Sequence, residues 1–386
     1  MSLSKTQIGK YIVKRKFLNG LFSIIYDSLK YKVYIKFLFI KIAKIHFSYG
    51  KANINFLGLS IFNSRKLALL LLLPALNEIV KQKTNKDKVD VIAFFYRSGE
   101  TFLQSYHLQE YFKNQNINNP VFVSNAKYLG DVLKMFCPET EFIKIPQIFF
   151  ELHFLNINKP DIINSKIRYY ELLTRGHFLD LESRAQKSED IYFYDALKNR
   201  MGVKGTEIIH PDIPEESKTK AKKKVMRIDL NRKFIFVAPD AQSNGTLSNI
   251  FWQKLAKKFY ENGYDVLFNN IPPGMRNSYY KTCFFTLDEA RYLTEHAASV
   301  IGVRSGLLDV LASAAKSMHC IYMPFANRGL DLPPLAAHKV QSAFSLKYLP
   351  DVNKNNIYEY NAEEIGEEII LQKIFENVMS QQRVLA

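Results

Sequence analysis

"SVIGVRSGLLDVLASAA", residues 299–315, is the stretch whose reading decides the fold. Val300, Ile301 and Val303 make an apolar run of the length expected for a buried parallel strand. Arg304, Ser305 and Gly306 follow as a tight turn. The helix expected behind that turn carries Ala312, Ala314 and Ala315, small enough to lie close against a sheet. Strand, turn and helix form the corner of a βαβ unit. Arg-Ser-Gly at that corner sets a guanidinium fork and backbone N–H groups where an anion is held.

Outward from this corner the same alternation recurs. On its N-terminal side, 233–241 reads as a strand, 247–263 as a helix stopped by Gly263, and 264–270 as the next strand. The helix 286–298 opens with Thr286 as N-cap and Glu289 three residues on, a capping box. Beyond the corner come a strand at 319–325 and a C-terminal helix at 362–382. A first series begins earlier, with strands at 89–96, 120–124 and 141–146 and helices at 101–114 and 126–136. Strands alternating with helices of this length imply parallel sheets. Residues 147–213 are aromatic-rich and read as helices completing the first series, and the charged stretch 212–232 reads as a helical connection. The expected organisation is a basic segment at 1–87, an α/β domain at 88–213, a connection at 214–232, a second α/β domain at 233–360 and a terminal helix at 361–386.

Charge is uneven along the 386 residues. The formal net charge is +16, and residues 1–90 hold 17 Lys and Arg against 4 Asp and Glu. A basic quarter on a near-neutral body points to a localised anionic partner: a membrane surface, a nucleic acid or an anionic glycan. The run 67–76, "LALLLLLPAL", is too short to span a bilayer. The segment 34–47, interrupted by Lys36, Lys41 and Lys44, reads either as a basic amphipathic helix on an anionic membrane face or as a core helix with solvated lysines. Three cysteines, none in a C-x-x-C pair, argue against a disulfide scaffold or a thiolate zinc site. The eight histidines show no metal-ligating spacing, so neither a metal nor another cofactor is expected. Walker, G-x-G-x-x-G and G-x-S-x-G motifs are absent.

Three loops at strand ends concentrate the candidate chemistry: 239–249, "PDAQSNGTLSN"; Arg304-Ser305-Gly306; and 96–101, "YRSGET". The stretch from Lys233 to Met323 resembles the nucleotide-sugar domain of GT-B glycosyltransferases, and within them the ADP-heptose:lipopolysaccharide heptosyltransferase family. That family has a strand ending in a proline and small-residue loop, as "FVAPDAQSNGT" does, and then a helix with a tryptophan near its start, as Trp252 is. A "sLxElaxLixxA" helix follows, like "TLDEARYLTEHA", and last "vIGvDSGpmHlAaA", against "VIGVRSGLLDVLASAA" here. The resemblance implies two Rossmann-like domains of GT-B type, here behind a basic N-terminal extension. It implies that Ser305 and Gly306 face a donor diphosphate, joined in this chain by Arg304 and Asp309. Arg304 stands where the family has Asp, and Asp309 where it has His, which puts ADP-heptose itself in doubt. Glu100, after Gly99, matches a Gly-Asp turn whose acid is the family's catalytic base.

Further candidates are Asp240, Gln242, Ser243 and Asn244 for the donor loop, Asn269 and Asn270 for the nucleotide, and Arg97, Arg175 and His177 for the acceptor. Each also has a bland alternative: a helix-start acid for Glu100, a buried histidine for His177, helix caps for Asp240 and Asn244, and turn chemistry for the asparagines. The expected activity is metal-independent transfer of a sugar from a nucleotide-sugar to a surface-glycan or lipid-linked acceptor. The expected place is the cytoplasmic side, peripheral to the membrane, with residues 1–90 on the anionic lipid face. A nucleotide-sugar epimerase of the UDP-N-acetylglucosamine 2-epimerase type and a non-catalytic binder of nucleic acid or another anionic polymer are the competing readings. The interleaving of basic and apolar residues disfavours nucleic acid.

Overall fold

The computed structural model is mixed α/β, with one antiparallel and two parallel sheets. It describes residues 4–385 apart from the connections between the first seven strands and residues 87, 95–96, 147–148, 150–166, 173–183, 185–191, 242–244, 276–277 and 326–333. Two compact units are formed, one from residues 1–96, 112–130 and 139–178, the other from 97–111, 131–138 and 179–386. Where the sequence suggested one domain over 88–213, parts of that range belong to the second unit.

The first unit opens with seven strands paired antiparallel in chain order: β1 (Ser4–Ile8), β2 (Ile12–Phe17), β3 (Phe22–Asp27), β4 (Lys32–Phe37), β5 (Ile40–Ser48), β6 (Lys51–Phe56) and β7 (Leu59–Ser64). The segment 34–47, expected as a helix, is therefore β4 and β5. The lysines, five and three apart around the apolar run 37–40, show neither a clean period of two nor one of 3.6, and the antiparallel pairing of β4 with β5 decides the state. The apolar run 67–76 lies inside α1 (Arg65–Thr84), with Pro74 in its interior.

Next come β8 (Val89–Ala93), α2 (Ser98–Ser105), α3 (Leu108–Asn114), β9 (Pro120–Ser124), α4 (Lys127–Lys134), β10 (Glu141–Lys144) and β11 (Ile167–Glu171). The single helix expected at 101–114 is two, parted at Tyr106–His107. The four strands form a parallel sheet in the order β10-β9-β8-β11. β11 corrects the all-helical reading of 147–213. It is pinned to β8 by Arg168, which donates to both carboxylate oxygens of Asp90 at 2.6 and 2.9 Å, while Asp90 also accepts from the backbone of Asn118.

In the second unit α5 (Phe193–Met201) and α6 (Glu215–Ile228) precede β12 (Phe234–Ala238), α7 (Asn249–Glu261), β13 (Asp265–Phe268), β14 (Lys281–Thr282), α8 (Leu287–Thr294), β15 (Ser299–Val303), α9 (Gly306–Leu311), β16 (Met318–Tyr322), α10 (Ala337–Phe344), β17 (Ile357–Asn361) and α11 (Ala362–Leu385). All six strands are parallel, in the order β14-β13-β12-β15-β16-β17. The order reverses between β12 and β15, and a doubly wound sheet binds its ligand beyond the carboxyl ends of the strands at that reversal. Ile235, Val237, Ile301, Val303 and Ile321 from these strands pack on Phe251, Trp252, Leu255 and Phe259 of α7 and on Ile370 and Ile374 of α11.

Two caps match their sequence signals: Gly263 closes α7 with φ +87°, and the Thr286–Glu289 capping box is formed. The N-cap of α7 is Ser248, which accepts from Phe251 N at 3.1 Å, and not Asp240. α6, expected as a connection, is a packed helix: Ser217 donates to Asp288, and Lys224 pairs with Glu289. Close approach at the opening corner comes not from Ala312, Ala314 and Ala315, since α9 ends at Leu311, but from Gly302. A Cβ there would stand 2.6 Å from Ala238 O. Arg291 of α8 caps the far end of α9, donating to Val310 O and Ser313 Oγ, with its guanidinium 5.6 Å above the Phe102 ring.

Candidate functional site

The backbone leaves β15 at Val303, turns through Arg304, whose N–H bonds to Ile321 O, and enters α9 with Ser305 as N-cap. Against this start lies the start of α2. A Cβ on Gly99 would come 2.8 Å from Gly306 Cα, and one on Gly306 would come 2.7 Å from Gly99 N and 2.9 Å from Ser98 Oγ. The two glycines therefore let two helix starts touch backbone to backbone. The N–H ends of both helices, partly positive, converge there.

Arg304 does not offer its fork outward, in contrast to the diphosphate role read from the sequence. It is buried and donates to both oxygens of Asp309 (2.7 and 3.1 Å), to Phe344 O (2.8 Å) and to Ser305 O (2.8 Å). The segment that supplies Phe344 O is itself fixed: Tyr192 donates to Ser345 O, and Glu359 accepts from Tyr322, Ser345 and Leu346 N. Asp309 likewise faces inward, so close to α2 that a Cβ on Gly99 would stand 2.3 Å from its Oδ2. Burial pushes Asp309 up to about 6, with the Arg304 charge opposing and the Glu100 charge adding to the shift.

Glu100, in the first turn of α2, keeps partial exposure. Burial of its carboxyl raises its pKa above the ordinary value, while its backbone hydrogen bond, Arg97 and Arg304 pull the other way. A carboxylate held this way takes up a proton more readily than a solvated one. Arg97, the residue before α2, is exposed. Two enclosed hydroxyls beside these groups, Thr101 Oγ1 and Ser305 Oγ, have no hydrogen-bond partner among the described residues. Such groups call for an acceptor or donor from elsewhere.

The remaining candidates separate into three sets. Asp240 and Asn270 come together beyond the ends of β12 and β13, Asn270 donating to Asp240 at 2.7 Å, both exposed. Asn269 is buried and holds the loop ahead of α8 by accepting from Phe285 N at 2.8 Å. Gln242, Ser243, Asn244, Arg175 and His177 lie outside the described residues. Sequence reasoning missed Phe344, Ser345 and Glu359, which reach the corner from other elements and carry no local signal. It also missed Ser98, whose neighbour Gly99 carried the match.

No family model and no curated protein matches the chain. Among solved structures the chain is similar to a glycosyl transferase of family 9 from Veillonella parvula (16% identity, TM-score 0.49, covering 76% of this chain and 98% of that one). It is also similar to the E. coli ADP-heptose lipopolysaccharide heptosyltransferase II (14%, TM-score 0.47, 76% and 99%) and to E. coli heptosyltransferase WaaC with ADP (9%, TM-score 0.44, 75% and 99%). At these identities none of them assigns a residue here, and the site is read from the chain's own geometry.

Proposed function

We propose that the chain is a GT-B glycosyltransferase that moves a sugar from a nucleotide-sugar to a surface-glycan or lipid-linked acceptor without a metal ion. The observation that carries this reading is Glu100, a carboxyl of raised proton affinity on the first turn of α2, set against the Ser305-Gly306 start of α9. Inverting transfer needs a base to take the acceptor hydroxyl proton as that oxygen attacks the anomeric carbon. It also needs donors for the charge that grows on the departing diphosphate. Glu100 serves as the base. The helix starts at Ser98 and Ser305, the Ser305 hydroxyl and exposed Arg97 serve the diphosphate, with the Arg304–Asp309 pair holding the α9 start in place. Asp240 and Asn270 then flank the nucleoside, beyond the carboxyl ends of β12 and β13. Residues 1–90 bring the enzyme to an anionic membrane face, from which a lipid-linked acceptor is reached.

The test is thermal unfolding with UDP, GDP, ADP, CMP and their sugars, in wild type, Ser305→Ala and Glu100→Gln. At about 100 times Kd, one of them stabilises the wild type by roughly 2.7 kcal/mol. Glu100→Gln retains that gain, and Ser305→Ala loses part of it. In the transfer assay Glu100→Gln loses about 10²–10⁴-fold in rate. No stabilisation by any of them sinks the reading. Interconversion of the donor sugar with no acceptor present replaces it with an epimerase.

A further inference from the structure

The two most exposed large apolar side chains among the described residues are Met226 and Phe284, at 78% and 67% of full exposure. They are 58 positions apart in sequence, yet the fold brings their segments together. Lys224 Nζ donates to Phe284 O at 3.0 Å and sits 5.4 Å from the Phe285 ring centroid. Lys281 Nζ reaches Asp229 O, and the Cys283 thiol feels the charges of Lys224 and Arg227. The strip 281–285 thus runs along the C-terminal half of α6.

That half of α6 is strongly cationic. Its buried and half-buried side includes Ala221, Lys224, Val225 and Ile228, which leaves Lys222, Lys223, Met226 and Arg227 exposed. Between 222 and 229 the sequence has four cations and one acid, Asp229. The acids near the helix start, Glu215 and Glu216, are taken by Lys218 and Lys220. Glu289 is taken by Lys224. Exposed apolar side chains beside the exposed cations Lys222, Lys223 and Arg227 match the boundary of an anionic bilayer, where headgroups meet the charges and the apolar tips enter the acyl edge. A second copy of this face would bring like charges together, which argues against self-association.

We infer that the α6 face formed by Lys222, Lys223, Met226 and Arg227, together with Phe284, docks on an anionic lipid surface. This attachment is separate from the basic N-terminal quarter and does not depend on the transferase reading. The test uses the full chain with vesicles of phosphatidylcholine, alone or with about a third phosphatidylglycerol, at about 0.1 M salt. Two sets of exposed substitutions are compared after their unfolding midpoints are shown to equal that of the wild type. One is Lys222→Glu, Lys223→Glu and Arg227→Glu together, and the other is Met226→Ser with Phe284→Ser. The wild type is expected on the anionic vesicles only. The charge variant should partition at least about tenfold less, and the apolar variant several-fold less. Three results overturn the proposal: a wild type that ignores anionic vesicles, a charge variant that binds as the wild type does, or an unchanged apolar variant. The second assigns all lipid binding to other basic residues, and the third reduces the face to one that meets soluble polyanions.

Discussion

Arg304 and Asp309 form a buried, bidentate pair, and the chemistry of such pairs is asymmetric. Removing one partner strands a charge and costs about 3–5 kcal/mol, whereas replacing both by apolar residues of similar volume costs far less. Urea unfolding of Arg304→Met, Asp309→Leu and the double variant is expected to show this non-additivity. Additive losses would mean the pair is not a unit. At the neighbouring Glu100 the folded carboxyl holds its proton more tightly than the unfolded one. Between the two values the folded state binds more protons, so its stability falls as pH rises through that window. Glu100→Gln, which cannot ionise, should gain on the wild type as pH rises above the ordinary carboxylate value of about 4.5 when the two are unfolded side by side. The same raised value places the acid limb of kcat/KM above the ordinary carboxylate range. The sequence announced Glu100 through a Gly-Glu turn and Ser305-Gly306 through a strand-turn-helix corner. It hid the inward turn of Arg304, because the acceptor at Phe344 lies 40 residues away and the fold alone supplies it.

Elements were legible where a period and a cap agreed. α7 and α8 stand within a few residues of their expected limits because Gly263 and the Thr286–Glu289 box mark the end of one and the start of the other chemically. The N-terminal strands were missed because Lys36, Lys41 and Lys44 suggested a helix face and the residues around them carry no clean alternation, so that pairing between strands decides the state. β11 is only five residues long and owes its place to Arg168 and Asp90 rather than to its own pattern. The crossing of α2 and α9 depends on two absent side chains. Gly99→Ala and Gly306→Ala should each cost about 1–3 kcal/mol by overpacking. Ala at Gly202, where a Cβ meets nothing within 4 Å, should cost less, and only through its φ of +67°. Denaturant midpoints for the three variants rank the effects. A Gly99→Ala protein as stable as the wild type would show that the helix starts do not touch.

For the whole chain, the charge distribution sets how it meets its surroundings. With 17 of its 53 basic residues in the first 90, the attachment proposed for that quarter would act over the screening distance, about 10 Å at 0.1 M salt and about 3 Å at 1 M. Co-sedimentation with anionic vesicles should weaken steeply as salt rises over that range. A flat response would make attachment apolar. Among the described residues no helix is long and apolar enough to cross a membrane.

The second unit is built from three separated pieces of chain, and this orders events at the ribosome. α2 is made first, yet the residues it must touch in α9 follow about 200 positions later, which at 5–20 residues per second is roughly 10–40 s of translation. Within that interval Phe102 can meet the Tyr106 and Phe136 rings, but the cover that α8 and α9 give to α2 arrives only at its end. Growth of this chain therefore leaves the α9-facing side of α2 uncovered until the Arg-Ser-Gly corner has been made.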